Sequence, residues 1–416
     1  MSSSFPERRR RRLHLRHGAW LIACVAPAGA FAAEIYYQPR FELRAEGHTN
    51  RDLQPDSVDD EGNMGGYVAN AGLQWGRRSQ TGEIMVIPSL RYTDYPERSS
   101  LEKLEEFLDL KGAHRTARSE FALIGRYARR DAYNAEFPRA GFDPLDPQAP
   151  PVDGTGRLIV SLTRTQYLLR PTYTYRLSER RAMTGSLEYQ QVKYSTSAAT
   201  SQVDYTYGRG DVAFRWQYDE RSHLDIGPYV ARYEARDNSY TSDAFGLRVE
   251  LNRDVSERTS TGITLRVQRD SNDIRSAGNT TVNESDTGLE LMLNLVREAE
   301  AGEWRFRLGR SMVPTGAGSV ADSDEFHVEF RHAFSPRLSS ETALRANRVR
   351  ARSVRGTGDD RDYASARAAL SWALTPTWSL SGGYEATWRD YVADDGDALD
   401  HALFISTRFL GLGPQR

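Results

Sequence analysis

Gly246-Leu247-Arg248-Val249-Glu250-Leu251-Asn252 decides the fold. Leu247, Val249 and Leu251 alternate with Arg248, Glu250 and Asn252. That period of two marks a β-strand with one apolar and one strongly polar face. The pattern spreads in both directions from this stretch. Ile263, Leu265 and Val267 alternate with Thr264, Arg266 and Gln268, and Leu289, Leu291, Leu293 and Leu295 with Glu290, Met292, Asn294 and Val296. Trp304, Phe306 and Leu308 oppose Arg305 and Arg307, while near the start Tyr37, Phe41 and Leu43 oppose Gln38, Arg40, Glu42 and Arg44.

Two kinds of connection take turns between the strands. Short ones fall at Gly76–Gly82, Gly112–Ala117, Ser178–Arg181, Asp219–Ser222, Ser256–Thr259, Glu298–Gly302, Ser335–Arg337 and Thr375–Thr377. The others are longer and rich in Asp, Asn, Gly and Ser, as near 47–64, 132–155, 270–286 and 350–361. The short turns recur about every 40 residues, which is an internal repeat of hairpins. Counting strands between connections gives eighteen, within a range of 16–18.

Composition narrows the options. The 416 residues hold 55 Lys+Arg, 57 Asp+Glu and one Cys, a net charge of −2, and the mean hydropathy is −0.64. No apolar run after the N-terminus reaches the ~18 residues of a spanning helix. A single Cys builds neither a disulfide within one chain nor a thiolate metal site, and the near-neutral balance argues against nucleic acid as a partner.

Four features favour a membrane barrel over a soluble propeller, sandwich or solenoid. Connections are short on one side and long on the other. Aromatics sit at strand ends, as with Tyr67 and Trp75, and Trp378 and Trp388, matching interfacial girdles. The polar faces hold Arg164, Arg170, Arg176, Arg248, Arg266, Arg305, Arg307, Arg345, Glu250, Glu290, Glu329 and Glu341. That is more charge than a packed core can pair, whereas a water-filled lumen needs no pairing. Finally, the last strand carries Leu403, Ile405 and the near-terminal aromatic Phe409 on one face. The expected fold is all-β: a single-domain, antiparallel transmembrane β-barrel over 33–416, with those twelve charged residues lining the lumen and outer-membrane lipid and lipopolysaccharide around it. Its first and last strands should meet and close the sheet.

Residues 1–32 read as a cleaved secretory signal: a basic block Arg8–Arg12, an apolar stretch Gly18–Ala30 and a small-x-small site Ala30-Phe31-Ala32. Leu21-Ile22-Ala23-Cys24 also has the form of a lipoprotein box, the alternative to cleavage near Ala32. Cleavage removes the one Cys, suiting export through an oxidising compartment. The expected location is the outer membrane of a Gram-negative bacterium.

Thr163-Arg164-Thr165-Gln166-Tyr167, Arg170-Pro171-Thr172-Tyr173-Thr174-Tyr175-Arg176-Leu177-Ser178-Glu179-Arg180 and Val203-Asp204-Tyr205-Thr206-Tyr207 resemble the type 2 β-barrel porin family, associated with exopolysaccharide and exosortase gene clusters. The likeness is one of repeated strand–turn phrases over most of the mature chain. It implies an outer-membrane passage for exopolysaccharide export, with polysaccharide as cargo and a periplasmic polysaccharide-export protein docked on the turns Ser178–Arg181 and Ser256–Thr259. The chain runs seven residues past Phe409, a departure from barrels that end on the terminal aromatic. Interleaved Arg and Glu, read as lacking the aromatic track of a sugar-uptake pore, also lean towards export. The alternative is a general diffusion porin for small hydrophilic solutes.

No phosphate-binding Gly loop, HExxH or CxxC occurs, and the scattered His48, His114, His223, His327, His332 and His401 lack ligand spacing. Neither a cofactor, a metal nor an enzyme activity is expected. Ser311, His327 and Asn347, on the polar faces of three consecutive strands, form the one constellation that a barrel-embedded hydrolase could use. The same residue types are ordinary in a lumen. Asp56/Asp59/Asp60/Glu61, Asp322/Asp324/Glu325, Asp359/Asp360/Asp362 and Asp394/Asp395/Asp397 read as solvated loop tips, with divalent cations bridging lipopolysaccharide as the second reading. Leu101, Leu104 and Leu108 have helical spacing and predict a short helix over Leu101–Leu110. The long proline-rich connection Ala132–Thr155 is a candidate gate folded into the lumen.

Overall fold

The computed structural model describes residues 33–54, 63–98, 101–137, 140, 162–195, 202–236, 239–275, 281–352, 360–391 and 396–412. Residues 1–32, and with them the signal and the Cys24 alternative, lie outside the described residues, as do Asp56, Asp59, Asp60, Glu61, Asp359, Asp394 and Asp395.

Eighteen strands follow one another: β1 Glu34–His48, β2 Met64–Arg78, β3 Gly82–Asp94, β4 Lys103–Arg115, β5 Ser119–Asp131, β6 Thr163–Ser178, β7 Arg181–Tyr194, β8 Tyr205–Asp219 and β9 Ser222–Ala235. The second half runs β10 Tyr240–Ser256, β11 Thr259–Arg275, β12 Thr281–Ala299, β13 Gly302–Pro314, β14 Val320–Ala333, β15 Leu338–Ala351, β16 Arg361–Ala373, β17 Trp378–Tyr391 and β18 Asp397–Leu410. Each pairs antiparallel with its neighbours in sequence, and β1 pairs with β18 from Arg40↔Leu410 to His48↔Ala402. The ring has no free edge, so the strands satisfy each other's backbone groups, as crossing hydrocarbon requires.

The alternation divides each strand between two environments. Phe245, Leu247, Leu289, Leu291, Leu403 and Ile405 are exposed on the outside, where only lipid can accommodate so continuous an apolar belt. Arg248, Glu250 and Glu290, between them in sequence, turn inward. Aromatic residues mark both rims. Trp304 stacks on Phe330 at 4.0 Å and Trp378 meets Phe409 at 5.1 Å near the short turns. At the other end Tyr67 donates to Asp94 at 2.5 Å and Trp388 to Asp397 at 3.1 Å.

One expected element is different. Leu101–Leu110 is not a helix: from Lys103 onward it is part of β4. Leu104 and Leu108 fit a helical spacing but also share a parity with Leu110, and pairing with β3 and β5 selects the extended form. A short helix occurs instead at Ala132–Glu136 (α1), with the Asp131 side chain accepting from the Tyr133 amide.

Candidate functional site

The inner wall is a lattice of charge laid down by the strand register. On the β6–β12 side, Glu188 takes Arg170 at 2.8 Å and Arg209 at 3.1 Å. Asp211 takes Arg248 at 2.9 Å and the Ser186 hydroxyl at 2.7 Å. Arg248 also pairs with Glu250. Arg215 makes a two-pronged contact with Asp225, 2.8 Å on each arm, and Arg266 pairs with Glu290 at 2.5 Å. A cavity of about 930 Å³ runs along this wall from Asp254 and Glu298, by the short turns, up to Arg307 and Ser311.

The twelve candidate residues fall at different depths. Arg164, Glu290, Arg307, Glu329 and Arg345 are buried. Arg170, Arg248, Glu250, Arg266, Arg305 and Glu341 are half-buried, and Arg176 is exposed beside the short turn after β6. Arg305 donates to Glu303 at 2.6 Å and Arg307 to Asn294 at 2.9 Å. Glu329 pairs with Arg331 at 2.8 Å and Glu341 with Arg331 at 3.4 Å. Reading the sequence passed over several partners: Glu188, Arg209, Asp211, Arg215 and Glu385. Arg44 takes Glu385 at 2.8 Å while lying 3.8 Å over the Phe404 ring.

The wall is also aromatic, which corrects the reading of a lumen without such a track. Tyr207 and Tyr229 are buried on the inward faces of β8 and β9, and Arg266 lies 5.5 Å over the Tyr229 ring. Towards the long connections Tyr205 stacks on Tyr233 at 5.3 Å, and Tyr233 meets Tyr240 at 5.8 Å. Tyr205, Tyr207 and Arg209 share one parity on β8. That signal was present in the sequence.

The end with the long connections is narrowed by three segments that reach inward. Residues 49–54 fold in: Leu53 is fully buried with φ of +49°, and its carbonyl accepts from Arg389 on β17 at 2.7 Å. Left-handed backbone at a leucine is unfavourable by about 1–2 kcal/mol, so surrounding contacts must hold it. They include Phe137, Tyr363 and Ala398. Phe137 follows α1 yet meets Tyr363 of β16 at 5.3 Å, a strand seven places round the closed ring from β5. Such a contact between inward faces has to cross the mouth. The third segment, joining β13 to β14, lies over the opposite side. Tyr233 donates to Thr315 O at 3.0 Å and the Val203 amide to Gly316 O at 2.8 Å.

Arg51 clasps the first two segments. Its guanidinium lies 4.5 Å from the Tyr95 ring centre and 5.1 Å from that of Tyr133, and Tyr133 donates to Arg51 O at 2.5 Å. Burial works against its charge, but Tyr95, Tyr133 and Asp52 outweigh it and raise its pKa. Burial pushes both phenols up, with Glu46 adding to the effect at Tyr95. Of the Ala132–Thr155 connection, residues 132–137 and 140 are described; the rest lies outside the described residues.

Ser311, His327 and Asn347 do not form a nucleophile, base and orienter. Ser311 faces Ser323, while His327 faces Arg307, four residues further along. At about 3.3 Å per residue that separation is beyond a hydrogen bond. His327 stands instead in a row with Arg307 and Arg345. Nor are the acidic groups solvated tips throughout: Asp324 pairs with Arg310 at 2.6 Å, Asp362 with Arg348 at 2.6 Å and Asp322 with Arg352 at 3.4 Å. Glu325 turns inward. Among the described residues no three His, Cys, Asp or Glu gather as a metal site.

No protein-family model matches the chain, and no curated protein does. Solved structures with a similar course of the chain include the outer-membrane channel DcaP of Acinetobacter baumannii (12% identity, 91% of this chain and 96% of that one, TM-score 0.42). The Pseudomonas aeruginosa outer-membrane protein OpdK is another (11% identity, 90% and 98%, TM-score 0.43). A third is OccK2 (OpdF) of the same species, solved with glucuronate (11% identity, 91% and 99%, TM-score 0.45). These comparisons correct the resemblance to the exopolysaccharide-associated type 2 porins. No family model matches, and the similar structures are of the Occ and DcaP kind. Exopolysaccharide export goes with it, as do polysaccharide as cargo and a periplasmic polysaccharide-export protein as partner. The crossed mouth is the physical counterpart, since a hydrated polymer needs a clear bore. The molecule is an eighteen-stranded antiparallel β-barrel of the Gram-negative outer membrane.

Proposed function

We propose that the chain forms a passage for small hydrophilic solutes across the outer membrane. The observation that carries this reading is the crossing of the mouth by residues 49–54, by α1 with Phe137 and by the β13–β14 connection, above a wall of ion pairs and tyrosines. An eighteen-stranded ring is wide enough to hold water inside, and inward segments at one end reduce that width. In this reading Arg164, Arg170, Arg176, Arg248, Glu250, Arg266, Glu290, Arg305, Arg307, Glu329, Glu341 and Arg345 line the pore. Mixed signs along the wall keep water and polar solutes in place of lipid without a tight stop. Residues 1–32 serve as the cleaved export signal.

Liposome swelling with the refolded mature chain is the test. Swelling that falls with solute size between a triose and a trisaccharide, and vanishes for a dextran, is the expected result. Swelling that is absent for all solutes, or as fast with dextran as with a triose, overturns the reading.

A further inference from the structure

The inward faces of β13–β16 carry a patch of polar groups with nothing to bind. Both carboxylate oxygens of Glu325 are buried without a hydrogen-bond partner, as are Asn347 Oδ1, the Ser311 and Ser365 hydroxyls, and Arg345 Nε and Nη2. The exposure of Glu325 is 2%, of Arg345 4% and of Asn347 5%. His327 Nδ1 stands 4.0 Å from Glu325 Oε1, beyond hydrogen-bonding distance. Buried polar groups left unpaired are costly, so the patch is suited to an occupant that supplies donors and acceptors.

Register makes it one patch. Glu325 faces Asn347 directly across the ladder, Arg345 faces Ser365, and Ser311 and Arg345 are the diagonal neighbours of Glu325, about 7–8 Å away. Gly309 stands opposite Glu325 on the other side. A Cβ there would run into the Leu291 carbonyl oxygen and Met292 Sδ, so β12 packs closely on this position and only glycine fits it. Ser311 belongs both to the patch and to the 930 Å³ lumen cavity.

Resting on the reading of the chain as a solute passage, we propose that this patch is a binding subsite for a neutral polyhydroxylated solute, of the size and chemistry of a monosaccharide. The open atoms choose the class. Three acceptor oxygens on Glu325 and Asn347 call for donors, Arg345 calls for acceptors, and the two serines do either. Each hydroxyl of a vicinal diol both donates and accepts, so one molecule meets all of them. A free anion would face the unpaired carboxylate of Glu325. A free cation would face Arg345 and the neighbouring Arg307. A neutral polyol meets neither repulsion.

The test uses the full mature chain in planar lipid bilayers, first in potassium chloride and then with D-glucose added on one side. Expected are steady ion conductance and a saturable, concentration-dependent block by glucose. Glu325→Gln and Asn347→Ala should each weaken that block by about tenfold, consistent with loss of one hydrogen bond, whereas the turn variant Glu179→Ala keeps it. The second lumen variant guards against misfolding of the first, and heat-modifiable mobility reports folding of both. If the channel conducts but glucose lowers the current only in proportion to viscosity, or blocks both variants as well as the parent, the subsite is wrong and the passage stands. If no ion conductance develops in any preparation, the passage reading fails and takes the subsite with it.

Discussion

The two sides of the lumen are built from the same residue types and solve opposite problems. Along β6–β12, Arg170, Arg209, Arg215, Arg248 and Arg266 each have a carboxylate within 3.1 Å. Along β13–β16 the buried Arg345 and Glu325 remain apart. Register, not composition, separates them. Arg209 faces Glu188 and Arg266 faces Glu290 across their ladders. Arg307, His327 and Arg345 instead face one another in a single row, and Glu325 is displaced by two positions. A shift of two residues keeps every side chain on its face yet changes its neighbour. The same alphabet therefore gives a run of short Arg–carboxylate pairs on one side and, on the other, a buried carboxylate and a buried arginine set apart.

Glu188→Gln should break that contrast most strongly. It removes the counter-charge of two arginines at once, and the side chains of Arg170 and Arg209 are only 14% and 16% exposed. Discounted for the water in the lumen, the loss is about 2 kcal/mol. A lower urea midpoint in lipid vesicles, and a reversal potential shifted towards anions in a salt gradient, are the expected readouts. An unchanged midpoint and reversal potential would show that the paired wall is no more committed than the other.

Next in size is the clasp over the mouth. Arg51→Ala removes two aromatic contacts and the pairing with Asp52 at 3.1 Å, about 1 kcal/mol in all. Single-channel conductance should rise while heat-modifiable mobility stays the same. The phenols add a pH test. Burial raises the pKa of Tyr95 and Tyr133 above that of the unfolded chain, so their contribution is complete below the ordinary tyrosine value near ~10 and is lost as pH rises through the higher folded value. Conductance should therefore be flat with respect to these groups through neutral pH and increase only in strong alkali. A rise between pH 6 and 8 in the parent that is absent from Tyr133→Phe would place the titrating group in the clasp and contradict this sign.

Much of the wall was legible in advance and its pairing was not. Leu247 and Arg248 report their faces through parity alone, because lipid outside and water inside impose opposite chemistries on neighbouring residues. The partner of Arg170 lies eighteen positions away at Glu188, on a strand whose register is set by a turn and a bulge near Ser178, and parity carries no information about that. Leu104 and Leu108 fit both periods, and only the flanking strands decide between them. The inward tyrosines of β8 follow from parity, since Tyr205, Tyr207 and Arg209 alternate with Thr206 and Gly208. The crossing by α1 could not be read at all: Phe137 meets Tyr363 only because the ring closes.

Glu325→Gln sharpens the comparison from the other side. Only the 4.0 Å approach of His327 is lost, and a buried carboxylate without a hydrogen-bond partner becomes a neutral amide. Stability should hold or rise by up to about 1 kcal/mol, opposite in sign to Glu188→Gln. A fall in the urea midpoint equal to that of Glu188→Gln would mean that Glu325 is held as firmly as the paired carboxylates, and the distinction between the two walls would disappear.

The smallest effect is expected at Arg176, which shares strand and parity with Arg170 but is exposed at the short-turn end. Water already solvates its charge, so Arg176→Ala should stay within about 0.5 kcal/mol of the parent, with a reversal potential shifted far less than by Glu188→Gln. The pair of measurements asks whether depth in the barrel, rather than membership of the inward face, gives a charge its weight. An Arg176→Ala shift as large as that of Glu188→Gln would mean that the field at the short-turn mouth selects ions as strongly as the paired interior. The ladder from Glu188 to Glu290 would then be chiefly structural.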